Sequence, residues 1–472
     1  MSLLARFSYP DDPQARGGRF YNPPPMPRWL WITLIALATA LYILQLAIFS
    51  KGCLRMDSLS YYHAWETIKG IHTDPMRTPV YAIVVGVLYE ILGKDGSLII
   101  IPALNWIFYL LSLRMLWDIN QQLRVKRFLN ILSLLTLMLI PGFWVLVNFS
   151  MAEIMAMMWV VMLLWQMQRY IIRPSDRLLY IQGGVISIAI LTKPLLIFLV
   201  ILYPIAWLIV RHRRKGSFSA VIKATLIPVV ICVGYLYCMY HTHTFAMFTA
   251  ANTYNSYISL RYASLITPQD ITDPGLRERF TPLYDSIPGG RVPGGPYWQE
   301  VTAAFSWPEL NEICQDALRN HRSEYNRAIF HRFVESLHCS QFYSAKEDDG
   351  FCPDHDKHYG SWDGISNNLT GGYIYPFYSY TQLPLYVGLI ITLAYIMLWC
   401  RRWLNTGRLP LFAALIAAVY ISAYFITIYG APDLWGRILT PVSPLLVVMA
   451  AFIISATTGY IRQRYHKSSM NK

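Results

Sequence analysis

Apolar runs, most of them about 16 to 21 residues long, recur along the chain, each closed by Arg/Lys clusters or by Pro and Gly. A helix rises about 1.5 Å per residue, so runs of this length cross a hydrocarbon core of about 30 Å. The pattern predicts spans at 29–49, 97–117, 128–148, 154–170, 178–191, 195–210, 220–240, 383–400, 409–429 and 438–458. One further apolar stretch, 79–92, is only about 14 residues long and is read as an outer interfacial or re-entrant helix. The expected fold class is therefore an all-α polytopic membrane protein. It has about ten transmembrane helices, outer interfacial helices and one large extracytoplasmic loop.

Composition removes the soluble alternatives. Of 472 residues 55% are hydrophobic and only 14% charged, well short of the roughly one quarter charged that a soluble domain carries. The excess of 40 Lys and Arg over 27 Asp and Glu gives +13, which in a soluble chain would suggest nucleic acid. Here it falls in short loops at 124–127, 169–177, 211–215 and 401–408 and in the tail 462–472. Such loops face anionic lipid on the cytoplasmic side, so the expected partners are membrane lipids and no nucleic acid. With about ten spans and the start inside, all five basic segments land on that side, provided 79–92 does not cross.

The expected organisation follows. Residues 1–28 form a polar, Pro-rich cytoplasmic segment that does not resemble a signal peptide, and 29–240 form a first bundle with an external loop at 50–96. Residues 241–382 form an extracytoplasmic cap, 383–458 the last spans and 459–472 a cytoplasmic tail. Within the cap, 308–318 and 323–337 carry apolar residues three or four apart and read as helices. The Pro-Gly-Gly stretches near 288 and 293 read as turns. Cys339 and Cys352 form the most plausible disulfide pair on that side.

Ionisable groups near a bilayer are costly to place, which makes them the first functional suspects. Asp57 lies in Arg-Met-Asp-Ser-Leu-Ser-Tyr-Tyr, ahead of Tyr61 and Tyr62. Arg77 opens Arg-Thr-Pro-Val-Tyr, and Glu153 follows Ser150-Met151-Ala152. Lys193 lies in Leu-Thr-Lys-Pro between two short spans, and Arg437 in Leu-Trp-Gly-Arg before the last. All map to the extracytoplasmic face. Each has a structural alternative: a helix cap for Asp57, a loop marker for Glu153, headgroup anchoring for the cations. The segment Asp354 to His358 has metal-ligand residue types without ligand spacing and reads as a solvated loop.

In this order the motifs resemble the GT-C superfamily of integral membrane glycosyltransferases, in the branch of protein O-mannosyltransferases and lipid A aminoarabinose transferase. The features are Asp57 with Tyr61, Arg-x-Pro-x-Tyr, Glu153, Leu-Thr-Lys-Pro and a closing Gly-Arg-Ile-Leu-Thr-Pro. Ser58 stands where many relatives carry a second acid, and Ala152-Glu153 where Asp usually follows Thr or Ser. The resemblance implies transfer of a sugar from a polyprenyl-phosphate carrier to an acceptor glycan, lipid or protein. The site would face outward from a bacterial inner membrane. It further implies Asp57 and Glu153 as candidate catalytic residues, with Asp57 the base. Tyr61, Tyr62, Arg77, Lys193 and Arg437 would bind substrate. No cofactor is expected, and divalent-metal dependence stays open. A polysaccharide polymerase or ligase, and a lipid or sugar transporter, are the alternative readings.

Overall fold

The structure, a computed structural model, describes residues 25–49, 51, 56–71, 75–213, 217–243, 247–286, 301, 303–336, 408–430, 435–455 and 458. Outside these lie the expected span 383–400, the tail, the Pro-Gly-Gly turns, Cys339, Cys352 and the 354–358 cluster. Among the described residues there is no strand. Six helices are long and apolar enough to cross a membrane, and the chain is an all-α polytopic membrane protein.

The first bundle begins with α1 (Arg28–Phe49), α2 (Met56–Ile68) and the 44-residue α3 (Pro79–Gln122). Gly93 breaks α3 with φ 70°, a left-handed conformation that glycine adopts without a Cβ penalty. The short apolar stretch 79–92 is thus a separate helical arm. It lies against α2, with Tyr61 edge-on to Tyr81 at 4.9 Å and Glu90 receiving Trp65 and Lys69.

The expected single span 128–148 is two helices, α4 (Arg127–Leu139) and α5 (Pro141–Val147). Pro141 lacks an N–H to continue the ladder and starts a new helix at its first position. The span 438–458 is broken as well. The short α15 (Trp435–Leu439) ends in a turn at Thr440, and α16 (Pro444–Ser455) restarts at a second proline.

Between these come α6 (Glu153–Ile172), α7 (Asp176–Thr192), a 3₁₀ turn (Pro194–Phe198), α8 (Leu199–Arg213), α9 (Ser219–His243) and α14 (Arg408–Gly430). Most of α6 is buried, as expected for a helix apolar on nearly every face. Its methionines Met155, Met157 and Met158 fill the space towards α3 and α7, which is packing and nothing more. Polar side chains join the helices where no water competes. Asn120 donates to Asn130 and Ser133, Trp207 to Gln182, and Trp165 to Asp118.

The cap contains the two expected helices, as α12 (Trp307–Asn320) and α13 (Arg322–Ser336). Ser306 and Glu309 form a capping box ahead of α12. It also holds α10 (Ala251–Tyr262), which weak apolar periodicity concealed, and α11 (Pro274–Asp285), whose clearer stripe went unread. Tyr257, Leu260, Phe280, Ile313 and Cys314 belong to a core of its own. Burial pushes the Asp270 carboxyl up, but bonds from Thr267, Asn320 and His321 prevail and hold it below the usual carboxylate range. The cap seats on α14 through Phe333, stacked on Phe425 at 5.4 Å, and Tyr325 against Tyr429.

Gly86 sets how closely α2 meets the arm. A Cβ there would lie 2.0 Å from Trp65 Cγ, near the root of the ring rather than at a flexible end. Gly86→Ala is expected to destabilise the protein by roughly 1–3 kcal/mol, the range for overpacking. Gly184→Ala, where nothing lies within 4 Å, serves as control. Thermal unfolding of both in one detergent checks this; equal midpoints would show that the two helices slide apart without cost.

Candidate functional site

The site is assembled from the ends of α6, α7, α15 and the arm. Glu153 occupies the first turn of α6, where a carboxylate complements the helix dipole. The chain just before it is anchored by Asn105 of α3, only 1% exposed, whose Nδ2 donates to the carbonyls of Val147 and Phe149 at 2.9 and 3.0 Å. Lys193 leaves helical geometry at the end of α7 because Pro194 follows and disfavours the α region for it. Its side chain therefore departs from a fixed corner. Thr78, at the start of the arm, donates from Oγ1 to the Thr192 carbonyl at 3.1 Å and ties that corner to the arm.

These elements bring the cations onto the acid. Lys193 Nζ donates to Glu153 Oε1 at 3.0 Å, and Arg437 Nε stands 4.0 Å from the same oxygen. Side-chain exposures are 7% for Glu153, 14% for Lys193 and 13% for Arg437, so all three are largely withdrawn from solvent. Arg437 and Arg77 both act electrostatically on Lys193. Arg77 is itself held by Ser60, to whose Oγ its Nε donates at 2.7 Å, and lies 5.4 Å from the Tyr61 ring centre.

Five of the seven residues singled out in the sequence thus converge: Glu153, Lys193, Arg437, Arg77 and Tyr61. Tyr62 does not join them. Its hydroxyl pairs with Ser97 Oγ at 3.2 Å and its ring meets Tyr89, so it braces α2 on the arm instead of offering a free face. Asp57 enters the first turn of α2, one helical turn before Tyr61, and its side chain lies outside the described ones.

Sequence reasoning missed Asn105, Ser60 and the Thr78 latch. Asn105 had a signal, an amide within an apolar run, which must find partners once dehydrated. Ser60 and Thr78 had none, since their hydroxyls matter only after the chain has folded back.

The arrangement suits an anion. Two long cationic side chains at a water-poor opening, with a third charge behind, can grip phosphate oxygens by charge-assisted hydrogen bonds. Among the described residues no group of three His, Cys, Asp or Glu comes together as a metal site. Glu153 Oε1 is already engaged by Lys193, so a divalent ion there would have to displace an ammonium.

No family model and no curated protein matches the chain. Among solved structures it is similar to the oligosaccharyltransferase of Archaeoglobus fulgidus in its apo form, at 10% identity and a TM-score of 0.44 over 94% of this chain. The chain spans about half the length of that protein, 51%. The same protein, AglB, in complex with an inhibitory peptide and a dolichol-phosphate gives 10% identity and a TM-score of 0.41. ArnT from Cupriavidus metallidurans bound to undecaprenyl phosphate is similar at 14% identity and a TM-score of 0.35, over 90% of this chain and 77% of ArnT.

Proposed function

We propose that the chain is an integral membrane glycosyltransferase of the GT-C kind. It moves a sugar from a polyprenyl-phosphate carrier to an acceptor hydroxyl at the extracytoplasmic face of a bacterial cytoplasmic membrane. The observation that carries this is the convergence of Lys193 and Arg437 on the buried Glu153, at one end of a bundle of long apolar helices. A lipid phosphate needs that combination: cations for the head and an apolar flank for the tail. The order of sequence motifs supports the same reading.

In the reaction the acceptor oxygen attacks the anomeric carbon, and the bond from that carbon to the phosphate oxygen breaks. The acceptor proton passes to Asp57, and the carrier leaves as a phosphate monoester. Lys193 and Arg437 meet the charge that grows on the leaving oxygen, where preorganised donors are most effective. Arg77 reinforces them, and Tyr61 flanks the sugar. The cap, joined to the turn ahead of the arm where Ala250 N donates to the Pro75 carbonyl at 2.9 Å, receives the acceptor.

A transporter also binds its substrate at helix breaks, and release of polyprenyl phosphate is what separates the two readings.

The test is a transfer assay with purified protein and a polyprenyl-phosphate-linked sugar, scored by release of polyprenyl phosphate. Sidedness is tested separately by single-cysteine reporters, Lys346→Cys and Arg127→Cys, in an otherwise cysteine-free chain. An impermeant thiol reagent is expected to label position 346 in intact cells and spare 127. Folded protein that binds no polyprenyl phosphate, or the opposite labelling, would overturn the reading.

A further inference from the structure

The acid at the centre of the site raises a question that phosphate binding alone does not answer. A site built only to hold a lipid phosphate gains nothing from a buried carboxylate touching its cations, because the carboxylate repels the ligand. The reaction itself supplies an answer. The donor is a phosphodiester and carries one negative charge. The departing carrier is a monoester, whose second ionisation lies near pH 6, so at neutral pH it approaches two charges. Cations alone would hold the product more tightly than the donor and stall turnover.

We propose that Glu153 is a discriminating residue. Its carboxylate lowers the affinity of the site for the dianionic carrier more than for the monoanionic donor, and so lets the product leave. This rests on the lipid-phosphate reading given above.

The geometry supports it in three ways. Glu153 Oε1 stands 3.0 Å from Lys193 Nζ and 4.0 Å from Arg437 Nε, so an anion gripped by both cations lies close to the carboxylate. Its position does not depend on those cations. The turn leading to it is pinned by Asn105 through two backbone carbonyls, and a ligand that draws Lys193 away leaves the acid in place. The charged groups acting on Lys193 besides Glu153 are Arg437 and Arg77, both positive, which makes Glu153 the described group opposing a second phosphate charge.

The size of the effect follows from Coulomb's law. At an effective dielectric of about 20 and a separation of roughly 7 to 8 Å, each unit of ligand charge meets a repulsion worth about 30-fold in affinity. Removing the carboxylate charge should therefore tighten a dianion about tenfold or more beyond what it does for a monoanion.

The probes are a short-chain polyprenyl phosphate and its methyl ester, a dianion and a monoanion of nearly equal size. Their dissociation constants are measured at about pH 8, well above the second phosphate pKa, on wild type and Glu153→Gln in one detergent. In wild type the two are expected to lie within about tenfold of each other. In E153Q the monoester is expected to tighten at least about tenfold more than the methyl ester. The transfer rate should fall at the same time, through slow release, with a burst of one product per enzyme.

Equal shifts for both esters, or weaker binding of both, would make Glu153 a mere anchor for the cations and end the proposal. So would a wild type that already prefers the monoester by roughly a hundredfold, a result that needs no variant to fold. A wild type that binds neither ester instead removes the lipid-phosphate reading beneath it.

Discussion

Asp57→Asn is expected to lower the transfer rate at least about 10²-fold while carrier binding and folding survive. The substitution keeps the size of the side chain and most of its hydrogen bonding but removes the basic oxygen, and a positioned general base contributes about 10²–10⁴. Because the lost interaction is made with the proton in flight, the loss should fall on kcat rather than on carrier affinity. The competing role is a first-turn charge on α2, which already includes Asp57 because it starts at Met56, so the residue is not the cap that the sequence suggested. A charge that serves only the helix dipole predicts the reverse: about 0.3–1 kcal/mol of stability lost and turnover per folded molecule unchanged. Thermal unfolding, carrier binding and transfer rate on one preparation separate the two, and a normally folded variant turning over at the wild-type rate would end the catalytic assignment.

The second large effect belongs to the cations. Lys193→Met and Arg437→Met should each weaken carrier binding by roughly 1.5–3 kcal/mol, about 10- to 150-fold. They should differ in stability. Lys193 is the 3.0 Å partner of a buried acid and Arg437 stands at 4.0 Å, so losing Lys193 strands the carboxylate more completely. Lys193→Met is therefore expected to melt at the lower temperature. Adding Glu153→Gln to it should restore stability, while affinity for the methyl ester of the carrier should stay about 10- to 150-fold below that of Glu153→Gln alone. Equal affinity of the double and the Glu153→Gln variant would mean that Lys193 serves the fold and never touches the phosphate.

Of the ten expected spans, those at 29–49, 97–117, 154–170, 195–210, 220–240 and 409–429 fall on long apolar helices among the described residues. They were legible because membrane thickness leaves few options for an apolar run. The breaks at Pro141 and Pro444 were not, although both prolines stood in plain view. A run of apolar residues scores the same whether or not a proline divides it, and only the missing N–H decides. In the cap, α12 was legible from its apolar stripe, while the capping box of Ser306 and Glu309 went unread. Helix α10 was hidden because its Asn, Tyr and Ser residues make little stripe, and it is held by a core contributed from α11 and α12.

The site divided in the same way. Glu153, Lys193 and Arg437 were found because charge is expensive near lipid, which marks a residue before any fold is known. Their mutual distances were not legible, since they depend on how α6, α7 and α15 end. The partner of Tyr62 was not legible either, because Ser97 comes from beyond the Gly93 break.

That break has a mechanical consequence. Glu153 stands on a rigid wall, since its approach is bolted to α3 by Asn105 and α6 is enclosed by its neighbours. Lys193 leaves the same wall at a corner latched through Thr192 to Thr78, at the root of the arm. The direction of the arm is set at its other end by the positive φ of Gly93, a conformation that a Cβ would strain. A side chain at position 93 is therefore expected to register at a distance, as a change in the 3.0 Å contact between Lys193 and Glu153.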